Sequence, residues 1–272
     1  MPRRKPAALS RQAVARARLR WLRATLQARH AERRYVLTLT QIAREVGAVY
    51  ERYLRKAMAA TEAKGDAVKG PSGSGPANPR RAVAAVRATI QPQIEKRVAK
   101  AARVMFEAVD EASASYANML GFTPVQIGPD VKAAYEARLQ ANVDLVVNAQ
   151  RDYADQVVRI FTDPENFGRR VEDLAEELQA RTGVAESRAA LIARDQTLKT
   201  LGELNKTRQE AAGVTQYIWC TSGDNAVREE HADRDGRIFS WDDPPEGGHP
   251  GDDFQCRCSA TPVVDEAEGI FD

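Results

Sequence analysis

The stretch Val214-Thr-Gln-Tyr217-Ile218-Trp219-Cys220 decides the fold, because here the helical periodicity of the chain stops and alternation begins. It is rich in β-favouring side chains, and alternation puts Tyr217 and Trp219 on one face of a strand and Ile218 and Cys220 on the other. Thr221 to Asp233 then reads as a turn into a short helix. Thr221-x-x-Asp224 has capping-box spacing with Asp for Glu, and Val227 and His231 share a face one turn apart. Asp235-Gly236 is a tight-turn dipeptide, and Arg237 to Trp241 reads as a second strand. A Pro/Gly/Asp loop carrying His249 leads to a last strand expected over Phe254 to Val264.

Upstream of residue 214 the periodicity is helical throughout. Ser10 can cap a segment running to about residue 62, whose apolar positions Ile42, Val46, Val49, Tyr50, Tyr53 and Leu54 recur at three and four. Lys64 to Pro79 breaks the pattern with the Gly, Ser and Pro content of a flexible loop. A second helix is expected over about 80–120, kinked at Pro92 and stopped by Gly121, and a third over 130–161. Leu174 and Leu178 fall on a fourth helix ended by Gly183, and Leu191 to Leu204 on a fifth ended by Gly213. The fold class is therefore mainly α: an elongated helical body with a small C-terminal α+β module of three short antiparallel strands and one short helix. The expected segments are a basic arm over 1–63, the loop over 64–79, the body over 80–213, the module over 214–264 and an acidic tail over 265–272.

The net charge of +2 conceals a gradient. Residues 1–60 hold 15 Lys/Arg against 3 Asp/Glu, whereas residues 217–272 hold 4 against 14. The two ends therefore suit different partners. Arg11, Arg16, Arg18, Arg20 and Arg23 are candidates for contact with DNA or an acidic protein surface; the alternative is a solvated helix face. No apolar run approaches the ~20 residues of a membrane span, and the basic start has no apolar core behind it, so neither a span nor a secretory signal is expected. All three cysteines fall in the terminal module, which fits a reducing compartment better than a disulfide framework.

The module also holds two of the three histidines. In an extended strand Cys256 and Cys258 would point to one face with Cα atoms roughly 6.6 Å apart, within reach of a single ion but cramped for a disulfide. With His231 and His249 they make a Cys2His2 set, a full tetrahedral complement for one structural zinc. The spacing is not that of a standard finger or ribbon. On the other reading the cysteines pack as small hydrophobes, His231 is a polar helix residue and His249 belongs to a His-Pro turn. Phosphate-binding glycine loops and nucleophile motifs are absent, so nucleotide binding and acyl transfer have no support. One enzymatic alternative is a metal nuclease built from His231, His249, Asp233, Asp235, Asp252 and Asp253. A non-enzymatic alternative is a DNA-binding protein carrying a zinc module.

Trp219, Asp224, Arg228, His231, Asp235-Gly236, Phe239, His249-Pro250 and Cys256-Arg257-Cys258, in that order, resemble the terminal signature of the phage Mu F-like head morphogenesis family. Arg188, Ala189, Ile192, Ala193, Arg194 and Gly213 resemble the helix leading into it, and the likeness covers roughly residues 180–264. Asp195 departs from it, since members often carry Thr-Glu after the Ala-Arg pair. The resemblance implies a minor head protein of the virion, without catalytic activity, at the portal vertex or inner capsid wall, present in host cytoplasm during assembly. It implies portal protein as a partner, with major capsid or scaffold protein and packaged double-stranded DNA as others, and no membrane or small-molecule substrate. Some relatives carry a toxin domain after the signature; none is expected in the eight residues beyond Val264.

Overall fold

The computed structural model describes residues 10–62, 79–121, 129–163, 165 and 171–263. The helices are α1 (Arg11–Ala24), α2 (Leu26–Glu62), α3 (Pro79–Met119), α4 (Pro129–Thr162), α5 (Val171–Ala211) and the short α6 (Glu229–Ala232), with strands β1 (Gln216–Cys220), β2 (Ile238–Ser240) and β3 (Ser259–Pro262). The mainly helical class with a small antiparallel sheet near the end is as the sequence implies. Apart from Pro79, which opens α3, the loop read over 64–79 lies outside the described residues, as does the tail over 265–272.

Two boundaries differ. The single helix read from residue 10 to 62 is interrupted at Thr25, whose hydroxyl donates to the Trp21 carbonyl at 2.8 Å and whose N–H closes the last turn of α1. Conversely, α5 runs unbroken through Gly183, where a stop was expected. A Cβ at Gly183 would meet nothing, so no tight turn or close approach asks for glycine there. An interior glycine costs a helix only about 1 kcal/mol, which the burial of Leu174 and Leu178 before it and Ala189 and Ala193 after it outweighs. Gly213 does end the helix, at φ +78, with the Val214 N–H returning to the Gln209 carbonyl.

The chain divides into two compact units. One comprises Arg34–Ala102 and Glu136–Ala193, and the other Met1–Arg33, Arg103–Tyr135 and Arg194–Asp272, so the units cut across the sequential segments read above. The first is helical, with Leu39, Ile42, Val98 and Val157 fully buried. Its α2 and α5 approach closely at Gly47, where a Cβ would lie 2.5 Å from the Thr182 hydroxyl. That hydroxyl is already held by Tyr153 Oη at 2.7 Å.

The second unit contains the sheet, in the order β2-β1-β3, all pairs antiparallel. As alternation requires, Tyr217 and Trp219 pack on one face with Trp241, Cys256 and Cys258, while Ile218 and Cys220 pack on the other. What covers that second face was not expected: it is α1, through Val14 and Ala17. Trp21 continues this stripe and stacks edge-on against Tyr116 of α3, centroids 4.9 Å apart, while the Tyr116 hydroxyl reaches Thr261 of β3 at 2.9 Å. The apolar stripe of the amino-terminal arm therefore begins at Val14, well before Ile42. The edge strand β3 is covered as well: Asn205 and Gln209 of α5 both donate to the Ala260 carbonyl, at 2.8 and 2.9 Å.

Candidate metal centre

Three buried side chains converge on the Trp219 face of the sheet. Cys256 Sγ and Cys258 Sγ lie 3.7 and 3.5 Å from the same nitrogen, His231 Nδ1. The other ring nitrogen, Nε2, faces Asp253 Oδ2 at 3.7 Å. Among the described residues these three offer their ligand atoms within 4.8 Å of one another, as do Glu230, His231 and Asp253 on the more exposed side.

The local folding differs from the sequence reading. Cys256 and Cys258 precede β3 and are not part of it; Gln255, at φ +52, turns the backbone so that both thiols still face inward while Arg257 faces out. The buried Asp195 of α5 holds this turn by accepting the Gln255 N–H at 2.8 Å. A close approach adds to it: a Cβ at Gly202 would stand 2.9 Å from the Pro250 carbonyl. No capping box forms at Thr221. Its hydroxyl donates to Asp235 at 3.0 Å, and α6 starts only at Glu229, so Val227 is not helical.

His249 does not join the cluster. Its Nδ1 is hydrogen-bonded to the Tyr217 hydroxyl at 2.9 Å, its backbone N–H donates to Asp252 at 2.7 Å, and its ring lies against Trp241. The four-residue set read from sequence thus contracts to three, with His249 satisfying a buried tyrosine. Nor do the acidic residues of the nuclease alternative gather with both histidines: Asp235 is spent on Thr221 and Arg18.

The charged signature residues brace the loops. Arg257 forms a bidentate pair with Asp224, at 2.6 and 2.7 Å, and Arg228 reaches both Asp253 (2.8 Å) and the Phe254 carbonyl (2.7 Å). The Ala226 N–H and then Arg257 hold the Asp224 carboxyl below its ordinary range. Of the arginines read as contact residues, Arg18 is internal: it donates to the Thr221 carbonyl at 2.8 Å and pairs with Asp235 at 3.0 Å. Arg20 is half-buried, and Arg11, Arg16 and Arg23 are exposed.

Electrostatically the thiols form one unit. The hydrogen bond from Cys258, helped by the Gly251 N–H, draws the Cys256 thiol down to about 6, and the same coupling pushes Cys258 up. His249 is shifted down from its ordinary 6.5, by burial first and by Lys206 second. A histidine whose folded pKa is depressed takes up its proton in the unfolded chain first, so the unit should lose stability as the pH falls below about 6.5. Urea midpoints between pH 7.5 and pH 5 should show this slope, and His249→Gln should flatten it. An unchanged slope would mean that other groups set it.

Against known proteins, residues 162–261 match the family model described as "Phage Mu protein F like protein". A protein of Haemophilus influenzae, described as uncharacterized, is 36% identical over 143 residues, which are 52% of this chain and 32% of the relative. The chain thus spans about a third of that relative's length. No solved structure matches. The family suggested by Trp219, Asp224, Arg228, His231 and the Cys-Arg-Cys run is the one whose model residues 162–261 match.

Proposed function

We propose that this chain is a phage head-morphogenesis protein, a minor structural component of the virion that acts with the portal in head assembly and in packaging or delivery of DNA. The match of residues 162–261 to the phage Mu protein F like family carries the reading. The arrangement around it fits a structural role: Asp224, Arg228, Asp235 and Arg257 are all engaged in holding loops together. No described helix is long and apolar enough to cross a membrane. The exposed Arg11, Arg16 and Arg23 of α1 offer positive charge to an acidic portal surface or to packaged DNA. On this reading the His231, Cys256 and Cys258 cluster holds one metal ion as a staple, because so small a sheet buries little surface of its own.

The test is made in the genome that encodes the chain. Quantitative mass spectrometry of purified heads should find it in low copy number relative to the major capsid protein, and heads assembled without it should fill or deliver DNA poorly. Co-expressed portal protein should co-purify with it, and replacing Arg11 and Arg23 by Ala should weaken the association and leave the remainder less sensitive to salt. Absence from purified heads, together with normal infectivity of the deletion, would refute the role.

A further inference from the structure

We propose that the ion is zinc, bound by His231 Nδ1, Cys256 Sγ and Cys258 Sγ, with Asp253 orienting the histidine from its far nitrogen and His249 outside the coordination sphere. This rests on the metal staple above and not on the virion role.

The separations carry it. Zinc holds thiolate at about 2.3 Å and imidazole at about 2.0–2.1 Å, so neighbouring S and N vertices of its tetrahedron lie about 3.6 Å apart. The observed distances are 3.5 and 3.7 Å, both measured to one nitrogen. A neutral imidazole nitrogen has one lone pair and can accept one S–H hydrogen bond well, which gives no reason for two sulfurs to stand nearly equidistant from it. A shared cation does. The donor types agree: two soft thiolates and an imidazole select zinc over magnesium or calcium, which take oxygen. Two thiolates also balance a divalent ion, so the buried group carries no net charge.

The surroundings are those of a supported ligand. Asp253 Oδ2 faces His231 Nε2 at 3.7 Å, just beyond hydrogen-bond reach, and is itself fixed by Arg228 at 2.8 Å, so a small closing movement on metal binding would complete a carboxylate–histidine pair that directs Nδ1 to the ion. The Gly251 N–H points to Cys256 Sγ at 3.5 Å, as expected beside a thiolate. His249 is committed to the Tyr217 hydroxyl. The two cysteines line a groove of about 410 Å³, with Arg29, Glu32 and Arg33 among its walls.

The experiment uses the full chain purified from zinc-supplemented cells under reducing conditions, with metal measured by elemental mass spectrometry. About one zinc per chain is expected, falling at least fivefold in Cys256→Ser, Cys258→Ser and His231→Ala, while His249→Ala keeps it. Asp253→Asn should still fill with zinc at saturation but bind it 10–100-fold more weakly against a chromophoric chelator. Because ligand variants can lose the terminal fold, the wild-type chain is also loaded with Co²⁺ alone, where thiolate-to-metal charge-transfer bands should appear and diminish in each single cysteine variant. Metal-free wild-type protein that gives no cobalt spectrum overturns the staple altogether. Zinc that is present but lost in His249→Ala as completely as in Cys256→Ser leaves the staple standing and overturns this ligand set.

Discussion

Replacing Trp21 by Ala should cost about 3–5 kcal/mol in the sheet-containing unit, the range for truncating a large buried aromatic side chain. Trp21 is 8% exposed, closes the stripe begun by Val14 and Ala17, and meets Tyr116 edge-on. Tyr116 in turn is tied to Thr261, so the indole lies two contacts from the edge strand. Chemical denaturation followed by tryptophan fluorescence and by amide exchange should show the loss. Val14→Ala should show a smaller loss in the same direction, because fewer atoms are removed. By contrast, Arg23→Ala on the exposed side of α1 should leave the midpoint within about 0.5 kcal/mol. If Trp21→Ala were as mild as Arg23→Ala, α1 would not be part of this core.

The second large effect is expected at Asp195. Its carboxylate is buried, accepts the Gln255 N–H and pairs with Lys199 at 2.9 Å. Asp195→Ala removes a charged acceptor from a half-buried donor and should cost about 1–3 kcal/mol. Asp195→Asn can still accept through its amide oxygen and should lose less. Because Gln255 adopts φ +52 immediately before Cys256, loosening it also displaces the thiols. Amide exchange should therefore quicken over residues 253–258 in Asp195→Ala, with β1 and β2 less affected. Equal protection of all three regions would place the role of Asp195 elsewhere.

These two residues show where sequence reading worked and where it stopped. The alternation of Tyr217, Ile218, Trp219 and Cys220 located β1 and sorted its faces, because period-two patterning is local. The stripe Val14, Ala17, Trp21, Ala24 has helical spacing just as local, but five arginines among fourteen residues drew attention to charge, and two of the four apolar positions are alanine. What the stripe packs against lies two hundred residues away, and nothing in its own sequence names that partner. The cysteine pair was legible in outcome and not in cause: both thiols face one way, through a turn at Gln255 and not through a strand. His249 was assigned by residue type, while the deciding contact is with Tyr217, a pairing across 32 positions. Asp195 stood out only as a departure from the family pattern; its role follows from a hydrogen bond to Gln255, sixty residues on.

The unit built from Met1–Arg33, Arg103–Tyr135 and Arg194–Asp272 has a consequence for synthesis on the ribosome. α1 emerges about two hundred residues before the face of the sheet that shelters Val14 and Ala17. At about 5–20 residues per second, the apolar side of α1 waits on the order of ten seconds or more for its partner. During that interval it is a natural binding site for a chaperone, and its arginine-rich opposite side keeps the nascent segment hydrated. A prematurely terminated chain would display the same stripe permanently.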